Sequence, residues 1–196
     1  MNIIVKPYGS QLCYCRPDTT WERENRDFYS PECVNEVLWT PVVFARVSKA
    51  GKCIGKKFAQ RYYDGVGCGM LMYCGLPAIS SCVDHTSILP MPLYNPVVLE
   101  EEKVFEVYIN EEPVTALSSN AATDMLPGVM STERSEWRHL LEEALCNASE
   151  LTSVRIGDFV AVELAPIASL AKQGDKEVGI RGTFCDNEIF NFKMHL

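Results

Sequence analysis

Cysteine and histidine are the residues best suited to nucleophilic, acid-base or metal chemistry, and this chain spreads both thinly. Nine cysteines occur in 196 residues, with no Cys-x-x-Cys and only Cys13-x-Cys15 close-spaced. The three histidines are far apart, so the set offers no convergent zinc spacing. In a reducing compartment the cysteines are small hydrophobes first. Cys82 has no cationic neighbour in sequence to favour a thiolate. Asp84-His85 puts a carboxylate beside an imidazole, but adjacent side chains need not face one pocket, and a lone histidine is commonly a surface or packed residue.

The elements that would position such residues are clearest around residues 51–73, GKCIGKKFAQRYYDGVGCGMLMY. A β-rich apolar run, residues 41–47, precedes a glycine turn at Gly51. Ile54, Phe58, Tyr62 and Tyr63 then recur at helical spacing, with Lys56, Lys57, Gln60 and Arg61 opposite. Gly65, Gly67 and Gly69 read as the end of that short helix, and residues 70–73 as the next strand. Residues 2–5 read as a strand, and residues 8–31 as a loop-rich stretch with one short strand at 11–15. The charge run 21–27 reads as solvated surface. Residues 34–47 read as strand, with Pro41 marking an edge or a bulge. Val104, Glu106 and Tyr108 alternate with Phe105, Val107 and Ile109 in a half-buried strand, followed by a turn at 110–113 and a second strand at 114–117. Residues 132–148 are the best helix, capped by Thr132, with Trp137, Leu140, Leu141 and Leu145 on one face. A turn feeding a strand over 156–162 and strands at 178–180 and 189–194 complete a β-rich α+β pattern.

Length sets one domain with a sufficient core. The formal charge of -8 argues against nucleic acid or an anionic membrane as partner. No apolar run approaches a membrane span and no signal peptide is recognisable, so a cytoplasmic protein is expected.

The order of several short motifs resembles the fumarylacetoacetate hydrolase family. Ile3-Ile-Val-Lys-Pro7 is similar to its apolar-Lys-Pro strand end. Gly51-Lys-x-Ile54, Phe58-Ala59 and Arg61-Tyr-Tyr-Asp64 resemble the turn and helix of its bacterial members. Asn120 with Asp124-Met-Leu126 resembles an Asn-Thr-x-Asp-Met-Leu element, and Ile156-Gly-Asp158 the turn before a Thr-Gly-Thr-Pro strand. The resemblance implies a mixed β-sheet roll or barrel of the family's C-terminal-domain type over residues 1–196, usually a homodimer. It also implies enzymes that cleave, decarboxylate or hydrate keto acids with Mg²⁺ or Mn²⁺ on three carboxylates, a His-Glu dyad and a polarising Lys.

Position by position, that apparatus is missing. The Glu-x-Glu pair falls on Thr40-Pro41-Val42, with Glu36 the nearest substitute. The metal Asp falls on Leu71 or Met72, and the Lys on Ser81 or Cys82. Thr-Gly-Thr-Pro reads Val162-Glu163-Leu164-Ala165, and the dyad segment has no counterpart before Lys6-Pro7. No metal or other cofactor is therefore expected.

Three readings follow. The favoured one is a non-catalytic scaffold or subunit, as a homodimer or with an intact family member. The second is an enzyme on a 2-keto or β-diketo acid with a rebuilt site drawn from Glu36, Asp84, His85, Glu163 and Cys82. The third is a small-molecule binder using an apolar pocket at Val42, Leu71, Met72 and Leu164, against which stands simple filling of the hole. An isologous dimer would cover Trp21, Phe28, Tyr29, Trp39, Leu93 and Tyr94; the competing arrangement folds the 8–31 loop back over them.

Overall fold

The computed structural model describes residues 1–75, 79–119, 136–175 and 177–196. In chain order the strands are β1 (Asn2–Lys6), β2 (Tyr14–Pro17), β3 (Trp21–Glu22), β4 (Phe28–Tyr29), β5 (Glu36–Val47), β6 (Tyr63–Cys74) and β7 (Ser87–Ile88). They continue with β8 (Val104–Ile109), β9 (Glu112–Ser118), β10 (Phe159–Glu163), β11 (Ala168–Lys172), β12 (Val178–Phe184) and β13 (Asn187–His195). Helix α1 (Trp137–Leu151) lies between β9 and β10. One sheet runs β2-β1-β10-β5-β6-β7-β3, with β11 beside the start of β5, and a second runs β4-β13-β12-β8-β9. The mixed character comes from three parallel pairs, β1 with β10, β3 with β7 and β4 with β13. This is the β-rich α+β architecture expected, with the larger sheet curled into a nearly closed barrel-like roll.

The curl is visible in the packing. Trp21 on terminal strand β3 meets Phe159 of β10 edge to face at 5.0 Å, although β5, β6 and β7 lie between them in the sheet. Strand alternation then sorts side chains into two sets. Ile3, Val5, Val42, Phe44, Leu71, Tyr73, Phe159 and Ala161 point into the roll. Ile4, Val43, Ala45, Met70, Met72, Val160 and Val162 point outward, into the larger core shared with the second sheet and α1. Both faces are covered, which is why β5 and β6 are apolar almost throughout.

Several expectations change. Pro41 marks no edge, because β5 is central. Its carbonyl accepts from the Leu164 N–H at 2.9 Å, just past the end of β10 and before β11 begins, so the missing N–H falls in a gap between two partners. Gly65, Gly67 and Gly69 do not end a helix but lie within β6. A Cβ on Gly67 would sit 2.7 Å from the Phe44 ring, and one on Gly69 would collide with the Ile88 carbonyl oxygen, so these glycines admit close neighbours from inside the roll.

The helix read before them is a 3-10 turn, Lys56–Arg61. Its tighter winding buries Ala59 and leaves Phe58 exposed between Lys57 and Arg61. The short strand near 11–15 is shifted to β2. Helix α1 buries Trp137, Leu141 and Leu145 as expected, while Thr132 and the Asn120 to Leu126 element lie outside the described residues. The aromatic set is mostly internal: Phe28 and Trp39 are buried, Trp21, Leu93 and Tyr94 half-buried, and Tyr29 exposed. Of this set only Tyr29 is largely exposed, which weakens that argument for a dimer.

Candidate functional site

Register brings the positions singled out in sequence to one layer inside the roll. Thr40 pairs with Leu71 across β5 and β6, and Val42 with Glu163 across β5 and β10. Thr40, Val42 and Leu71 are fully buried. Val42 and Leu71 pack in one cluster with Phe44, Tyr73 and Phe159. The Thr40 hydroxyl donates to the Ala165 carbonyl at 2.6 Å. Met72, Val162 and Leu164 belong to the opposite face and cannot line a pocket with Val42 and Leu71; the one-residue alternation of a strand excludes it.

At the end of this layer stands a buried polar group of which the sequence offers Glu163 but neither of its tyrosine neighbours. Glu163 Oε1 accepts from the Tyr73 hydroxyl, and its Oε2 from the Tyr8 N–H at 2.9 Å. Since the Tyr73 proton goes to Glu163, the Tyr14 hydroxyl, 2.6 Å from the Tyr73 oxygen, is the donor of that bond. Burial raises the pKa of both phenols, and Tyr73 is raised further by Tyr14 and Glu163, so both are neutral donors.

Arg16, 1% exposed, lies beside them with its guanidinium carbon 5.1 Å from the Tyr73 ring centroid. Its Nε donates to the Ser81 carbonyl at 2.9 Å, and its Nη2 to the Met72 carbonyl at 2.8 Å and the Thr86 hydroxyl at 2.7 Å. Burial pulls its pKa down, while Tyr14, Tyr73 and Glu163 work against that. Ser81, one of the two positions that the resemblance matches to the family's Lys, thus supplies a carbonyl to a different cation.

The remaining candidates are elsewhere. Glu36 accepts from the Ser169 hydroxyl at 3.0 Å and lies 3.6 Å from Lys172 Nζ. Cys82 is exposed, its Sγ 4.0 Å from the Ser81 hydroxyl. Asp84 and His85 border an open pocket of about 320 Å³ lined also by Arg26, Tyr29 and Val83. His85 pairs not with Asp84 but with Glu22, Nδ1 to Oε2 at 2.9 Å. Glu22 is buried, contrary to the solvated surface expected of its charge run, because β3 pairs with β7 and turns it toward His85.

The metal implied by the resemblance does not fit. Hard cations need several anionic oxygens to offset dehydration, and the layer offers one carboxylate, Glu163, whose two oxygens are already engaged. Among the described residues no group of three His, Cys, Asp or Glu side chains could hold a metal ion, and no helix is long and apolar enough to cross a membrane.

No family model and no curated protein matches the sequence. Solved structures do. The chain is similar to a fumarylacetoacetate hydrolase family protein of Yersinia pestis, with TM-score 0.73, 11% identity, and 98% of this chain and 91% of that one covered. It is similar to fumarylpyruvate hydrolase of Pseudomonas aeruginosa, solved with Mn²⁺ and pyruvate, with TM-score 0.77, 13% identity and coverage of 100% and 90%. A third similar structure is 5-carboxymethyl-2-hydroxymuconate delta-isomerase of Mycobacterium smegmatis, with TM-score 0.75, 9% identity and coverage of 99% and 78%. The resemblance read in scattered motifs is therefore matched across the whole chain, which has the fold of the fumarylacetoacetate hydrolase family.

Proposed function

We propose that the chain is a non-catalytic protein on this enzyme fold, serving as a scaffold or subunit in a homodimer or beside an intact family member. The supporting observation is the filled interior: Thr40, Val42 and Leu71, at the positions matched to the metal carboxylates, are fully buried. The fold itself carries no function without such groups. A filled layer also weighs against a small-molecule binder using the old pocket.

Calorimetric titration with Mg²⁺ or Mn²⁺ is expected to show no stoichiometric site. A micromolar site lost in Glu163→Ala or Glu36→Ala would overturn the proposal. The assembly rests on the resemblance, because the exposed apolar side chains Leu12, Leu151 and Ile156 are of a kind common on any surface. Light scattering is expected to give about twice the 22.0 kDa chain mass, by the usual two-fold association. A monomer mass that persists on concentration contradicts the homodimer.

The second reading, an enzyme with a rebuilt site, is favoured by the His85–Glu22 pair. A buried carboxylate holding Nδ1 leaves Nε2 to act as a base. That pair lies apart from the Glu163 layer.

A further inference from the structure

We infer that residues 49–61 form a docking surface for an acidic, partly apolar segment of a partner protein. Five of the chain's 18 lysines and arginines, Lys49, Lys52, Lys56, Lys57 and Arg61, and none of its 26 aspartates and glutamates fall in this stretch. All five are exposed.

These cations differ from the others in their partners. Outside the stretch, every described lysine and arginine except Arg16 and Arg155 is ion-paired with a carboxylate; within it, none is. Asp64, the next carboxylate in sequence, is held by Arg46, and Glu142 on the adjoining helix α1 by Arg138 and Tyr63. A merely solvated surface intersperses both signs, as the rest of this chain does. Here like charges repel one another, and opposite charge brought from outside relieves that.

The backbone beneath is pinned. The N–H groups of Cys53 and Ile54 donate to the Ser149 carbonyl and hydroxyl of α1, each at 2.8 Å. Gly51 and Val154 exchange a pair of backbone hydrogen bonds, and Ile54 and Ala59 are buried. Phe58 is nevertheless 42% exposed, with Lys57 Nζ 5.1 Å and Arg61 Cζ 5.4 Å from its ring centroid. Lys49 Nζ lies over the Tyr62 ring at 5.2 Å. An apolar ring clasped by two unpaired cations offers a partner an anchor and charge-assisted contacts at one point, with little left to order on binding.

The charge balance selects the occupant. All the carboxylates lie outside the stretch, so a duplex or an anionic bilayer, whose charge extends well past such a patch, also meets the acidic remainder of the chain. A short segment with glutamates or aspartates around an apolar side chain engages the patch alone. Pairing the patch with an acidic face of a second copy would be head-to-tail and would not close a two-fold dimer. The surface lies outside the interior on which the scaffold reading rests and does not depend on that reading.

A short fluorescently labelled peptide of glutamates flanking a central Leu-Phe pair is titrated into the full chain and followed by anisotropy. Saturable binding is expected at about 100 micromolar in low salt, weakening as salt is raised. Lys57→Glu with Arg61→Glu is expected to weaken it at least tenfold, and Phe58→Ser, which leaves the charge unchanged, at least threefold. Lys172→Glu with Arg181→Glu makes the same change of net charge elsewhere and is expected to leave the affinity within twofold. Urea unfolding checks that each variant is folded, and should one patch variant not fold, the other decides. Absence of saturable binding, affinity unchanged in a folded patch variant, equal weakening by the control pair, or tighter binding to duplex DNA or phosphatidylserine vesicles than to the peptide overturns the proposal. The assay reads neither metal binding nor turnover, so the scaffold reading stands or falls separately.

Discussion

Leu71→Asp is expected to lower the stability of the fold by about 4 kcal/mol at neutral pH, and added Mn²⁺ is expected not to restore it. The substitution places a carboxylate at one of the two positions that the resemblance matches to a metal ligand. Here the site is fully buried and packed among Val42, Phe44 and Tyr73. Burying an unpaired carboxylate costs several kcal/mol, partly relieved by protonation, and losing the leucine packing adds about 2 to 3 kcal/mol of its own. A bound cation could offset this only with other anionic ligands, and register puts Thr40 opposite residue 71. Urea unfolding with and without Mn²⁺ checks both parts. A variant as stable as the parent, or one rescued by micromolar Mn²⁺, would show that the layer retains a usable metal site.

Arg16→Met is expected to cost about 3 kcal/mol. The change keeps most of the volume and relieves the desolvation of the charge, which favours the variant. Against it stand the buried Met72 carbonyl, left without its donor at about 1 to 3 kcal/mol, and the partly buried Ser81 carbonyl at less. Arg16 also ties β2 to β6 and to the segment before β7, across the seam where the roll closes, so no local rearrangement supplies a substitute donor. The unfolding midpoint in urea is the readout, and an unchanged midpoint would mean that water satisfies those carbonyls.

The fold was legible where a local pattern coincides with the buried face. Phe105 and Val107 alternate with Glu106 and Tyr108 in β8, and Trp137, Leu141 and Leu145 repeat along α1. Legibility ended where a distant partner decides. Gly65, Gly67 and Gly69 resemble a turn until Phe44, Ile88 and Leu93 are seen to press on them. Pro41 resembles an edge until β10 and β11 are seen to leave it a gap.

The site divided in the same way. The resemblance supplied Thr40, Val42, Leu71 and Glu163, which register does bring together. It also nominated Met72, Val162 and Leu164, which strand alternation turns away. Tyr14, Tyr73 and Arg16 went unremarked because their partners lie 56 to 90 residues away in sequence. Glu22 was hidden in a charge run, and only the β3–β7 pairing shows it to be buried against His85.

Turnover tests the central claim most directly. Acylpyruvates and oxaloacetate are offered to the purified chain with Mn²⁺ or Mg²⁺ present, beside an intact enzyme of this fold as control. Rates at the uncatalysed background are expected, since the proposal holds that base, electrophile and metal ligands are all replaced. Turnover above background that is abolished by His85→Ala or Glu163→Ala would contradict the claim and establish a rebuilt active site.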